Sequence, residues 1–231
     1  AQGAATFPDF LEGWFEHVAE VYDEILAGCQ ARWNEMRDRA PSPFGSLLMR
    51  GCLERALPLE AGAAPYNFVG LNILGLGTLV DSLHALRTLV FEERALSLTE
   101  LAEAVAADFP DEALRTRLLA LPGRYGTDSP ATNELAAQLS SRLARMVLDS
   151  RMEAGVRPYP GFFAFAADIY ALGLASPDGR HAQDPVSYGV APSGSVAWWS
   201  DDFYFGEGKT LHIEGAVRER YAIAAMYGMP L

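Results

Sequence analysis

The strongest constraint in the sequence is an unbroken helical period at its start. Phe7, Phe10, Leu11, Trp14, Val18, Val21, Ile25 and Cys29 recur at steps of three and four, which lines them along one side of an α-helix. Asp9, Glu12, Glu16, Glu20 and Asp23 fall toward the other side. Helical character extends to about Ala40, where Pro41 and Pro43 end it, because proline removes a donor and disfavours helix in the residue before it. A stripe this long has to be covered by other chain, so the remaining sequence must supply partner elements.

It does so in shorter pieces. A second helix is read over Phe44 to Arg55, and Ala56 to Gly77 is rich in Gly, Ala and Pro with no clear period. Leu79, Val80, Leu83, Leu86, Val90 and Phe91 restore helical spacing. Ser97-Leu98-Thr99-Glu100 has the form of a capping box opening a helix through Ala107. Asp111 to Leu121 predicts another helix, stopped by Pro122-Gly123, and Ser129 before Pro130 starts a long one through Leu135, Leu139, Leu143, Met146 and Val147. Gly161 to Ala166 suits a buried strand, with a helix left open by its length. Ser176-Pro177-Asp178-Gly179-Arg180 is a turn. With no repeat, low-complexity tract or linker, the chain reads as one packed, mainly helical unit with strand character toward its C-terminal part.

The chain has 231 residues, 50% of them hydrophobic and 11% aromatic. That is enough to bury roughly 70–75% of the unfolded surface and too apolar for disorder. Two cysteines, Cys29 and Cys52, cannot staple so long a chain. A net charge of −12 argues against nucleic-acid binding. No apolar run reaches about 18 residues, and the opening Ala1-Gln2-Gly3-Ala4 lacks a basic segment followed by an apolar one. The expectation is a soluble, acidic, cytoplasmic protein with no membrane span. His17, His84, His181 and His212 have no partners at metal-ligand spacing, so no metal site is expected, and His84 reads as structural or solvent-facing. The glycines from Gly70 to Gly77 read as close backbone packing, not a phosphate cradle.

Gly51-Cys52-Leu53-Glu54 sets a thiol two residues from a carboxylate. Cys52 and Glu54 are the catalytic candidates, a sulfur nucleophile or radical carrier beside a proton shuttle. The other reading is a helix end with a buried structural thiol and a solvated carboxylate. Cys29, on the apolar stripe, reads as a core thiol.

Several segments together resemble the glycyl radical enzymes, the pyruvate formate-lyase-like superfamily. Pro41-Ser42-Pro43-Phe44-Gly45-Ser46-Leu47-Leu48, running into Gly51-Cys52-Leu53-Glu54, resembles P-T-P-x-x-S-x-x followed by G-C-I-E. Gly62-Ala63-Ala64-Pro65-Tyr66-Asn67-Phe68 is similar to G-G-A-x-Y-N-F. Asp81-Ser82-Leu83 matches D-S-L, and Leu89-Val90-Phe91-Glu92-Glu93 matches L-V-F-E-E at the family's distance. Arg124-Tyr125-Gly126-Thr127-Asp128 resembles K-Y-G-N-D, and Ser176 to Arg180 resembles T-P-D-G-R. Order and spacing over roughly residues 7–193 make the resemblance specific.

The resemblance implies an α/β fold, predominantly helical in this portion, belonging to a ten-stranded α/β barrel of the pyruvate formate-lyase type. It implies residues 1–193 as a partial domain of that type and 194–231 as a divergent, unassigned C-terminal segment. The implied chemistry is anaerobic: a glycyl radical, installed by a separate radical-SAM activase, passes to a cysteine whose thiyl attacks a small organic substrate. Two departures bear on function. Cys52 has the letters of the catalytic loop but the neighbourhood of the later, non-catalytic G-C-I-E. The nearest string to the R-V-x-G-Y glycyl loop is Met226-Tyr227-Gly228-Met229.

By the same resemblance, Val186 to Ser193 aligns with a stretch near the substrate pocket. Tyr188 and Ser193 are therefore the substrate-binding candidates, with a surface turn as the other reading of Tyr188. Trp198 to Phe205 is open to three readings: a replaced C-terminus, a partner-facing surface or a divergent strand. The expected function is a portion or subunit of a glycyl radical lyase or dehydratase, inactive alone and binding no cofactor itself. It would associate with the remainder of the enzyme or a complementary subunit and with the activase, as an oligomer. The alternative is a non-catalytic scaffold or binding module derived from that family.

Overall fold

The computed structural model describes residues 4–127, 129–163 and 174–182, with the backbone of two strands at 196–199 and 211–214. Seven helices α1 to α7 occupy Phe7–Arg39, Pro43–Leu48, Cys52–Arg55, Leu76–Ala85, Leu98–Ala106, Glu112–Leu119 and Pro130–Asp149 among the described residues. Strands β1 to β4 occupy Phe68–Leu74, Arg157–Phe163, Val196–Trp199 and Leu211–Glu214. The chain divides into two compact units, one holding Gly3–Leu71 and Arg142–Gly161, the other Asn72–Ser141 and Phe162–Leu231. This corrects the single unit expected from the sequence. The junctions fall inside β1, α7 and β2, so no Gly-, Ser- or Pro-rich linker marks them.

In the first unit, α1 starts where Thr6 Oγ1 accepts the Asp9 N–H at 3.3 Å and ends at Ala40, before Pro41. Its buried side chains are Phe10, Leu11, Phe15 and Tyr22. The expected stripe is therefore only half right. Val21 and Ile25 are 42% and 50% exposed, and Cys29 is half-buried instead of in the core. Side-chain bonds fix the buried edge. Arg142 on α7 clasps Glu12 at 2.5 and 2.9 Å and lies 3.7 Å above the Phe15 ring, while the Tyr22 hydroxyl meets Ser150 Oγ at 2.6 Å.

The helix expected over Phe44 to Arg55 is split into α2 and α3. Gly51 adopts φ +94° and Ala56 φ +52°, left-handed conformations that no continuous helix contains. The stretch without sequence period contains β1, which pairs with β2 in a small parallel sheet. A parallel pair requires a long crossover, and here α4 to α7 intervene. The expected strand at Gly161 to Ala166 begins earlier, at Arg157, and its last three residues lie outside the described residues.

In the second unit the capping box forms as expected: Ser97 Oγ accepts the Glu100 N–H at 3.2 Å, and Glu100 Oε2 accepts the Ser97 N–H at 2.7 Å. α4 runs into a π-helical segment, Leu86–Glu92. Val80, Leu83, Leu89, Leu101, Leu118 and Leu139 are essentially inaccessible, each stabilising the fold by about 1.5–3 kcal/mol relative to exposure. Strands β3 and β4 pair antiparallel, with Val196 opposite Glu214 and Trp199 opposite Leu211.

A Cβ at Gly51 would stand 2.5 Å from the Ala63 carbonyl oxygen. Gly51→Ala therefore lowers stability by about 1–3 kcal/mol, read as a reduced urea midpoint with unchanged slope.

Candidate functional site

The sequence-derived candidates Cys52 and Glu54 both lie on α3. Cys52 is 3% exposed. Glu54 turns back to the start of its own helix, where Oε2 accepts the Gly51 N–H at 2.9 Å, so its carboxylate serves as a cap. Tyr188 and Ser193 lie outside the described residues, as do Met226 to Met229. Among the described residues no group of three or more His, Cys, Asp and Glu side chains is arranged to hold a metal ion. His84 is buried and its Nε2 donates to the Pro122 carbonyl at 2.9 Å, which fixes the Nε2–H tautomer because a carbonyl only accepts.

The structure brings together three residues that the sequence left separate: Asp81, Arg124 and Asp178. Asp81 sits on the buried side of α4, which opens at Gly75 with φ +82°. Arg124 follows the Pro122-Gly123 stop of α6, and Asp178 lies in the Ser176–Arg180 turn. The Arg124 guanidinium reaches Asp81 Oδ2 at 3.1 Å and Asp178 Oδ2 at 3.4 Å, and donates to the Asp178 carbonyl at 3.2 Å. Asp81 Oδ1 accepts the Tyr125 N–H at 2.7 Å. Asp178 Oδ1 accepts from Ser176 Oγ at 2.5 Å and the Arg180 N–H at 3.4 Å. Arg115 Nε donates to the Gly179 carbonyl at 3.1 Å. At Gly179, φ is +93° and a Cβ would press on Leu119 Cγ at 3.0 Å, so glycine is required. A second tie holds the same turn, where Asp108 Oδ1 accepts from His181 Nδ1 at 3.0 Å and the Ala182 N–H at 2.8 Å.

Two carboxylates share one guanidinium here, and burial decides the balance. Asp81 and Asp178 are 5% and 6% exposed. Desolvation raises both pKa values above the usual carboxylate range, against the lowering pull of Arg124 on each and of Ser176 on Asp178. Exposed Asp108 goes the other way, lowered first by the Ala182 N–H and then by His181. Chemically the cluster is a clamp: every charged atom is spent holding a loop. The signal in the sequence was that D-S-L, R-Y-G and S-P-D-G-R each carry a charge, but no spacing rule links residues 81, 124 and 178.

Arg124→Met leaves two buried carboxylates without their cation and costs about 3–5 kcal/mol at neutral pH. A raised folded-state pKa means the folded chain binds protons more readily than the unfolded one, so this contribution to stability grows as pH falls from neutral toward the ordinary carboxylate value. The loss in Arg124→Met is accordingly smaller at pH about 5 than at about 7.5, as urea titrations at both will show. Cys52 resists iodoacetamide in the folded chain while half-buried Cys29 reacts, measured by peptide mass spectrometry; prompt labelling of Cys52 would contradict its placement.

Comparison with known proteins identifies the family. The pyruvate formate lyase-like family model matches residues 1–171. Probable dehydratase YbiW of Escherichia coli is 32% identical over 163 residues, covering 64% of this chain and 20% of that protein. Isethionate sulfite-lyase of Bilophila wadsworthia is 29% identical, covering 65% and 19%. The structure solved for 1,2-propanediol dehydration in Roseburia inulinivorans superimposes with a TM-score of 0.76 at 27% identity, over 82% of this chain and 25% of that one. The chain spans about a fifth of the length of the curated relatives it matches. It has the fold of a mostly helical portion of their barrel, and it belongs to the pyruvate formate lyase-like family of glycyl radical enzymes.

Proposed function

We propose that the chain is a structural portion of a glycyl radical lyase or dehydratase acting on a small organic substrate. In this reading it contributes packed helices and, through β1 and β2, a short stretch of barrel wall. The cysteine loop that carries the thiyl and the glycine loop that stores the radical belong to the remainder of the enzyme or to a complementary subunit. The observation that carries the reading is the Asp81–Arg124–Asp178 clamp, which joins three of the family's segments and devotes their charges to holding loops. Burial of Cys52 and the capping role of Glu54 support the same view: Cys52 is a structural thiol.

Residues 1–193 form the family-like portion in this proposal and 194–231 a divergent segment. Tyr188 and Ser193 are its substrate-facing residues, and a radical-SAM activase installs the radical on the assembled oligomer. The working compartment is an anaerobic cytoplasm. Among the described residues no helix is long and apolar enough to cross a membrane.

The test is electron paramagnetic resonance of the purified full chain after anaerobic incubation with a radical-SAM activase and reductant. The expected outcome is no glycyl doublet and no turnover from the chain alone, with both appearing once complementary polypeptide is supplied. A doublet from the isolated chain would overturn the division of roles.

A further inference from the structure

Three large rings of the first unit stand in the open: Tyr66 is 86% exposed, Phe68 61% and Tyr159 49%. They are not scattered. With Asn67 and Arg157 they line one cleft of about 760 Å³ where the chain enters β1 and β2. Arg157 and Tyr159 are two residues apart on β2, so their side chains share one face of the strand. The Phe68 and Tyr159 rings meet edge to face, with centroids 6.0 Å apart. Backbone contacts fix the wall between them. The Arg157 N–H donates to the Asn67 carbonyl at 2.9 Å, and Asn67 Nδ2 donates to the carbonyl of buried Ala64 at 2.7 Å.

The charge in this cleft is unspent. Arg115, Arg117, Arg124 and Arg142 each pair with a carboxylate. Among the described residues the Arg157 guanidinium has no ion pair and no hydrogen bond, and it is the one cation on the described lining. On a chain of net charge −12 the surrounding field repels anions, so an anion is held only where a cation is left free for it.

We propose that this cleft binds a nucleoside monophosphate, an assignment that goes beyond the functional reading above and does not depend on it. Each part of the cleft selects one part of that ligand. Open aromatic faces take a flat base by stacking, and a guanidinium fork takes phosphate oxygens in pairs. A single cation suits one phosphate and not a chain of them. The volume lies in the range of about 300–1,000 Å³ that holds ligands of this size, and leaves a lone ring or a lone anion mostly in water. Neither Cys52 nor Glu54 is among the described residues that line the cleft.

The full chain is titrated with adenosine monophosphate and followed by saturation-transfer NMR, with adenosine and ribose 5-phosphate as comparators. Adenosine monophosphate is expected to bind saturably below about 1 mM, with base protons receiving most of the saturation. Each comparator is expected to bind roughly tenfold more weakly. Arg157→Gln is expected to lower affinity for the monophosphate roughly tenfold and leave that for adenosine unchanged; Tyr159→Ser is expected to weaken both. The comparators read the wild-type chain, so they decide the question even if a substitution disturbs folding. Adenosine binding as tightly as its monophosphate overturns the role of Arg157, and ribose 5-phosphate doing so overturns the role of the rings. No saturable binding of the monophosphate, or binding unchanged in both variants, overturns the site and leaves the functional reading intact.

Discussion

One guanidinium between two buried carboxylates sets the terms for the second unit. A carboxylate taken out of water costs several kcal/mol unless its oxygens find donors, and Arg124 alone cannot supply Asp81 and Asp178. The remaining donors are the Tyr125 and Arg180 N–H groups and the Ser176 hydroxyl. These are groups of the loops themselves, so satisfying the charges fixes the loops. The left-handed Gly179, the Arg115 contact to its carbonyl and the close approach of Leu119 then follow as consequences. Desolvation outweighs Arg124 in both pKa shifts, so the cluster gives a definite arrangement at the expense of some stability near neutral pH. That exchange suits a framework that must hold loops in one place.

The first unit is held differently. Its ion pairs lie at the surface: Glu12, lowered first by its bond from Arg142, is well exposed, and such pairs contribute little by charge alone. Arg142 matters as much through its stem and its place over Phe15, where cation and ring attract. Part of its apolar surface lies inside and part outside. Ala63, Ala64, Leu143, Val147 and Val156 are inside, while Phe44, Leu48, Tyr66 and Phe68 are outside. In this unit apolar character reports burial along much of α1 and α7 but not along α2 and α3.

That difference explains what the sequence disclosed. Local rules worked where the partner is three or four residues away: the Ser97–Glu100 box, the Pro41 stop and the Ser129-Pro130 start all depend on near neighbours. They failed where a distant partner decides. Val21 and Ile25 have the right period for burial, yet Arg142 and Ser150 hold the Phe15 and Tyr22 side instead. β1 was missed although Val69, Leu71 and Ile73 alternate with the exposed Phe68, Gly70 and Asn72, because the run is short and its partner strand is more than eighty residues away in sequence. The break at Gly51 depends on room beside the Ala63 carbonyl, which no helical pattern encodes. Of the candidate site, the segments were visible through their resemblance and their convergence was not.

The segments that carry the family resemblance sort by physical task. G-C-L-E places a left-handed glycine and a capping carboxylate where the chain must turn. D-S-L, R-Y-G and S-P-D-G-R contribute opposite charges to one buried point. None of these tasks requires a radical, an open thiol or a substrate, and each is met by groups within the chain. A resemblance built from such residues transmits architecture first. The described residues that carry the family resemblance serve the fold, and the family is recognised through them.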